Sequence, residues 1–352
     1  MSFLNQMYQN LTPYTPGEQV DEAAYIKLNT NESPYPPAPN VQKAVAEAAQ
    51  KLNRYSDIAV EAVAKPLAKY LGVKQEQLFL GNGSDEVLSY IFQGFTEKGI
   101  AFPDVTYGFY QVYSGLYQVK STVVPLKEDF SLDLAEYDAL KGTVIFANPN
   151  APTGIYLPQN DICAFLERHP DRLVVVDEAY IDFGGKSMVS LINQYKNLFV
   201  VGTFSKSRQL AGARLGFGIG NTDLIADLNR LRFSLNPYNV NSLTQAAGSA
   251  VLQEQVYVDQ KVQETIKVRE WSKQELTKLG FEQTDSQGNF LFAKHPKLSG
   301  ESLFLALREK KILVRWFNQP RTKDYLRITV GTKEQMDQLI AVLTTILNEV
   351  KA

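Results

Sequence analysis

The chain has 352 residues, 44% hydrophobic and 21% charged, with a formal charge of -2 at pH 7. This length predicts two domains with a generous core, and the near-neutral balance gives no electrostatic case for nucleic acid or an anionic membrane. No basic stretch runs into an apolar one at the start and no apolar run reaches membrane-span length, so a cytoplasmic chain is expected. A single cysteine, Cys163, excludes an intramolecular disulfide. It lies in "DICAFLERH", an amphipathic helical pattern, and reads as packing. With His169 and His295 the only histidines, a His-rich metal site or a Cys-His nucleophile is hard to build. Lys, Asp, Tyr, Arg and Asn remain as working groups.

Residues 1–30 hold two prolines and little periodicity, and read as an arm packed on another surface. Over 31–245, strand-like runs alternate with helical ones: "QLFLGN" then "SDEVLSYIFQGF", "GTVIFANPN" then "PQNDICAFLERH", followed by "RLVVVDEAY" and "NLFVVGTFSK". The alternation predicts a large α/β domain with a mostly parallel central sheet flanked by helices. The continuously apolar "VIFA", "LVVVD" and "LFVVG" suit strands covered on both faces. Beyond, the pattern changes. One long helical stretch, from "SLTQAAGSAV" to "SKQELTKLG", is followed by short strands in "NFLFAKH", "KILVRWF" and "YLRITVG". A last helix then carries Met336, Leu339, Ile340, Leu343, Ile346, Leu347 and Val350 at helical spacing. Residues 246–352 therefore read as a smaller α+β domain, with the arm packed on it.

Ligands of open α/β sheets bind at the carboxyl ends of the strands, and these ends carry unusual residues. In "FLGNGSDEVL", Gly81 and Gly83 permit a tight turn and Ser84 is a good cap, so the helix start could hold a phosphate or simply favour its own acidic residues. "FANPNAPTG" has the asparagines and prolines of an ordinary turn. Asp177, after three valines, must be hydrogen-bonded or paired to tolerate burial. A cap or a protonated ring nitrogen would satisfy it, and Tyr180 follows three residues later. Lys206 stands just past the next strand, where an unprotonated amine is a Schiff-base nucleophile, although most lysines are simply solvated. Arg315 and Arg327 sit in apolar strands and want a carboxylate or phosphate, from a ligand or a salt bridge. Together these residues match the needs of pyridoxal 5'-phosphate: a lysine, an aspartate for the ring nitrogen, a phosphate cradle, and Tyr107 as a stacking face. "GFGIGN" at 216–221 lacks the third glycine of a dinucleotide fingerprint and is not expected to open a helix.

The segments "YTPG", "LNTNESPYPP", "NRYSD", "GNGSDE", "NPNAPTG", "VDEAY", "TFSKSRQLAGARLGF" and "YLRITVG" stand in the order and spacing of one family. Over nearly its whole length the chain resembles the fold type I pyridoxal-phosphate-dependent transferases, and among them the histidinol-phosphate aminotransferases. The resemblance implies that Lys206 carries the cofactor, while Ser205, Arg214, Ser84 and Asp85 hold its phosphate. It assigns Asp177 to the ring nitrogen, Tyr180 to the ring hydroxyl and Tyr107 to the ring face. Tyr55 would reach the phosphate in the neighbouring subunit of a homodimer. Tyr14 and Asn31 would border the substrate, and Arg315 and Arg327 would bind its phosphate or the carboxylate of glutamate. The family usually has Asn before Pro-Thr-Gly, where this chain has Ala151, so Asn150 or Asn148 is expected to meet the cofactor's ring oxygen instead. The implied reaction passes an amino group between L-glutamate and imidazole acetol phosphate. An aromatic aminotransferase or a phosphothreonine decarboxylase would keep Lys206 and Asp177. A non-catalytic regulatory domain would carry a nucleic-acid-binding module, and no such segment is read.

Overall fold

The fold was obtained as a computed structural model, which describes residues 3–20 and 24–349. Val350, the last residue of the predicted C-terminal stripe, lies outside the described residues. The short strand β1 (Ile26–Lys27) precedes helices α1 (Pro39–Ala49) and α2 (Glu61–Leu71). The seven strands of the main sheet come next: β2 (Leu78–Gly81), β3 (Ile100–Pro103), β4 (Ser121–Val124), β5 (Thr143–Ala147), β6 (Val174–Asp177), β7 (Leu198–Thr203) and β8 (Gly216–Ile219). Helices α3 (Ser84–Gly94), α4 (Phe109–Leu116) and α5 (Gln159–Arg168) lie between them in the chain, and α6 (Thr222–Leu235) and α7 (Ser242–Val251) follow.

The sheet order is β2-β8-β7-β6-β5-β3-β4, with β8 antiparallel to both of its neighbours and the other pairs parallel. Every residue of β5, β6 and β7 is buried, as their unbroken apolar runs require once helices cover both faces. Two apolar layers flank the sheet. Val144, Phe146, Val174, Val176 and Val200 face one, while Ile145, Val175, Phe199 and Val201 face the other. The alternation follows from the two-residue period of a strand.

One prediction is overturned here. "GFGIGN" does lead into a helix, because Asn221 caps α6 by accepting a hydrogen bond from the backbone of Asp223. Its glycines serve close packing instead. A Cβ on Gly216 would strike the backbone nitrogen of Ser84, and one on Gly218 would strike the ring of Phe199.

The long helical stretch also divides. A turn at residues 252–254 separates α7 from α8 (Gln255–Lys278). Ala247, Ala250 and Val251 of α7 lie in the core of the main sheet, so α7 spans the boundary expected at 245/246. The passage between cores falls within α8, whose Val258 and Val262 pack in the first core and Val268 and Leu276 in the second. Its 24 residues give about 36 Å of rod, enough to span both.

The second core is built on β9 (Glu282–Gln283), β10 (Phe290–Lys294), β12 (Arg315–Trp316) and β13 (Tyr325–Thr329), an antiparallel sheet ordered β12-β13-β10-β9. Helices α9 (Gly300–Glu309) and α10 (Lys333–Glu349) cover it, and Met336, Leu339 and Leu343 are fully buried. β11 (Ile312–Leu313) pairs in parallel with β1. The arm is held on both sides. Tyr14 stacks on Phe109 at 4.3 Å, while Arg308 of α9 pairs with Glu18 at 2.7 Å. Among the described residues no helix is long and apolar enough to cross a membrane, and no group of three or more His, Cys, Asp or Glu could hold a metal ion.

Candidate active site

The carboxyl ends of β2, β5, β6 and β7 open into one cavity of about 290 Å³. Ser84, Asp85, Tyr107, Asp177, Tyr180, Ser205, Lys206 and Arg214 all line it. Eight residues scattered over 131 positions of sequence thus meet because parallel strands end on the same edge.

Asp177 is the last residue of β6 and only 4% exposed. One carboxylate oxygen accepts from Tyr110 Oη at 3.0 Å, and the other from the backbone N–H of Ala179 at 3.2 Å. No ion pair reaches it among the described residues. Burial pushes its carboxyl up to about 6, against the pull of the Tyr110 hydrogen bond. This is a carboxylate prepared for a cation that the protein itself does not provide. Lys206 follows β7, and its Nζ lies 3.4 Å from the carbonyl oxygen of Thr30 and 5.7 Å from the centre of the Tyr180 ring.

The opposite end is built for an anion. Gly83 has φ of +80° and carries the chain into α3, whose first residue is Ser84. The N–H groups of such a helix start are open donors. A Cβ on Gly83 would crowd the Arg214 guanidinium, and the backbone conformation of Gly83 is one that side-chain-bearing residues rarely adopt. Arg214 Nη2 donates to Asp85 at 2.7 Å, and Tyr107 Oη donates to the other oxygen of the same carboxylate at 2.7 Å. The Asp85 side chain is thereby spent on orienting Arg214 and Tyr107. Nearby, Ser205 Oγ accepts from Thr203 Oγ1 at 3.0 Å.

A second hollow of about 460 Å³ shares Tyr107 and Ala151 with the first and is lined also by Tyr14, Phe317, Arg315 and Arg327. Arg327 donates from Nη2 to the carbonyl of Asn29 at 2.8 Å, but its buried Nε has no partner among the described residues. Burial lowers its pKa, so a guest anion would offset part of the cost of burying this charge. Arg315 donates to the carbonyls of Thr15 and Pro16 at 2.7 and 3.0 Å, so the arm takes two of its five N–H donors. Asn31 is buried with φ of +54° and lies outside the cavity wall. It donates to Tyr180 Oη at 3.0 Å and receives Thr329 Oγ1 at 3.1 Å, tying the second sheet to the tyrosine.

Two predicted residues are not brought in. Asn150 lines a different cavity, and its amide is used by the carbonyl of Val105 at 2.9 Å and the hydroxyl of Thr153 at 3.0 Å. Asn148 is likewise committed, exchanging hydrogen bonds with the backbone of Leu157 at 2.8 and 2.9 Å. Both asparagines are thus used, and the wall position belongs to Ala151. Tyr55, expected to serve the neighbouring subunit, does not line this chain's own cavity; it is 83% exposed and stacks on Tyr238 at 4.5 Å.

Other residues were not foreseen. Thr30, Glu32 and Thr203 line the cavity, and Tyr110 supports Asp177 from α4. Tyr110 reads in sequence as one more aromatic in "YGFYQVYSGLY", with no signal to separate it from core. Arg208, beside Lys206, turns out to be structural. It pairs with Asp182 at 3.1 Å and lies over the rings of Tyr70 and Phe204.

Residues 23–343 match the family described as aminotransferase class I and II. The chain belongs to that family. It is 46% identical over 350 residues to the histidinol-phosphate aminotransferase of Marinomonas sp. (strain MWYL1), covering 98% of this chain and 99% of that one. It is 45% identical over 347 residues to histidinol-phosphate aminotransferase 1 of Bradyrhizobium diazoefficiens, with 98% and 99% covered. The fold matches that of the Sinorhizobium meliloti histidinol-phosphate aminotransferase in complex with pyridoxal-5'-phosphate, with a TM-score of 0.87, 24% identity and 99% of each chain covered. The cavity of this aminotransferase fits the cofactor chemically. It offers a lysine, a buried carboxylate lacking a cation, and a helix start with an arginine beside it.

Proposed function

We propose that this aminotransferase is a histidinol-phosphate aminotransferase, which uses pyridoxal 5'-phosphate to move an amino group between L-glutamate and imidazole acetol phosphate. The observation that carries the reading is the meeting of Lys206, cation-free Asp177 and the Ser84–Arg214 cradle in one cavity. That cavity continues past Tyr107 and Ala151 into a hollow with two arginines. The family and the full-length relatives support the same choice.

When bound, the cofactor supplies an aldehyde to carry the amino group and a ring to take up electrons from the substrate's α-carbon. Asp177 holds the proton on the ring nitrogen, because pairing with that cation offsets the cost of its own burial. The α3 N-terminus, Ser205 and Arg214 would hold the cofactor phosphate. Tyr107 would offer its ring as a stacking face, and Tyr180, which already accepts from Asn31, would donate to the ring hydroxyl. Lys206 Nζ takes the proton from the donor's α-carbon, as the one lysine lining the cavity among the described residues. Arg327, with Arg315, holds the anionic end of either substrate, a planar fork suiting phosphate or carboxylate. Tyr14 closes the wall at the imidazole end.

The enzyme is further proposed to act as a cytoplasmic homodimer. Tyr55 lies with Tyr238 and the 53% exposed Phe233 along an open hollow, a patch a second copy would cover. Arg327→Gln is expected to raise KM for histidinol phosphate and for glutamate together, by roughly 10–100-fold, the usual worth of a hydrogen bond to a charged group. A rise confined to one substrate in steady-state kinetics contradicts the shared anion site. The substrate itself is tested by comparing kcat/KM for L-histidinol phosphate and L-phenylalanine, with CO2 release from O-phosphothreonine measured alongside. Histidinol phosphate is expected to be preferred. Preference for phenylalanine, or release of CO2, would replace this reading with an aromatic aminotransferase or a decarboxylase.

A further inference from the structure

The hydroxyl of Tyr110 has one hydrogen bond among the described residues, and it goes to Asp177. The ring around it is fully buried in α4, with Phe102 at 5.9 Å and Tyr107 at 5.8 Å, both near edge-to-face, and Phe92 at 6.3 Å. A phenylalanine would fill this space equally well. A phenol in such a place costs desolvation of its hydroxyl unless a partner repays it. The sole partner is the carboxylate that the cavity leaves without a cation.

We infer that Tyr110 is a positioning residue for the reaction: its hydroxyl holds Asp177 ionised and aimed at the cofactor's ring nitrogen. This rests on the reading of Asp177 given above. The physical case has two parts. First, a carboxylate stripped of water binds a cation well only while ionised, and a donated O–H favours the ionised form. The phenol can only serve as donor here, since burial and the neighbouring carboxylate push its own ionisation far out of reach. Second, the two donors take different oxygens, Tyr110 Oη at Oδ2 and Ala179 N–H at Oδ1. Between them they fix the plane of the carboxylate, and each sp² oxygen keeps a lone pair for the ring nitrogen.

Other charged and titratable groups face Asp177. These are Asp85 from α3, Lys206 from the loop after β7, Tyr180 and Glu178 from the end of β6. None of them makes a hydrogen bond to its carboxylate among the described residues. Tyr110 is therefore the side chain through which α4 acts on the site.

Two cofactor forms separate a specific role from mere packing: pyridoxal 5'-phosphate, and its analogue with carbon in place of the ring nitrogen. Each is titrated by absorbance into cofactor-stripped protein. Tyr110→Phe is expected to weaken the natural cofactor about tenfold, the loss of one charge-assisted hydrogen bond, and to leave the carbon analogue unchanged. In an Asp177→Asn background, adding Tyr110→Phe is expected to have no further effect on the natural cofactor. Equal losses with both cofactors, no loss with either, or a loss persisting in the Asp177→Asn background would each overturn the inference. Wild-type protein that binds the two forms equally would instead overturn the role of Asp177, and with it that of Tyr110.

Discussion

Replacing Lys206 by alanine is expected to lower kcat by roughly 10⁴-fold, the upper range for removing a positioned proton-transfer group. The fold should be untouched. Among the described residues Lys206 Nζ makes one long hydrogen bond, 3.4 Å to the Thr30 carbonyl, and lies 5.7 Å from the centre of the Tyr180 ring, so little in the packing depends on it. The thermal midpoint of the cofactor-free variant should therefore match wild type, while turnover of histidinol phosphate with 2-oxoglutarate disappears. A variant that keeps normal turnover removes the lysine from the mechanism. A variant that unfolds would show a structural role that its contacts do not suggest.

Asp177→Asn is expected to act in opposite directions on activity and stability. Losing the charge that holds the ring-nitrogen proton should cost roughly 10²–10³-fold in kcat, comparable to removing one preorganised electrostatic group. The cofactor-free protein should at the same time become more stable. Burial lifts the Asp177 carboxyl to about 6, above its unfolded value near 3.8, so between those values the folded state binds a proton that the unfolded chain has released. The stabilisation from this group is full in acid and is lost as pH rises through about 6. At pH 7 the buried charge opposes folding, and the amide removes that charge. Neighbouring Glu178, pushed up to about 8 by its own burial, titrates in both proteins and cancels in the comparison. The loss accrues between about 3.8 and 6, so thermal unfolding of stripped protein at pH 4 and pH 7 should show the variant ahead by a few degrees at pH 7 and little at pH 4. An equal gap at both values would mean that Asp177 is not the titrating group.

The strands that end at the site were legible because β5, β6 and β7 are short apolar runs that stop on polar residues. Asp177 and Lys206 were visible as charges where apolar strands should have none. The cradle could be read from Gly83 and Ser84, since a glycine turn into a helix start is a local event. What could not be read depends on where side chains point. Asn150 and Asn148 look available in sequence, yet Val105 and Thr153 take the first amide and the backbone of Leu157 takes the second. Arg315 and Arg327 look alike, each alone in an apolar strand. Only the fold shows that the arm's carbonyls occupy the first and leave the second partly unsatisfied. Tyr110 and Asn31 act through contacts 67 and 149 positions away in sequence, and no periodicity encodes those. The antiparallel β8 was hidden for another reason. Its glycines lower strand propensity, and their use is the close approach of α3 and Phe199.

The central claim is that this cavity passes an amino group from histidinol phosphate to the cofactor. Mixing L-histidinol phosphate with the cofactor-loaded protein, with no amino acceptor present, tests it in a single turnover followed by absorbance. The visible band of the lysine-bound cofactor should be replaced by the near-ultraviolet band of its amine form in every loaded site. A visible band that persists with histidinol phosphate, yet yields to another amino acid, would contradict the account.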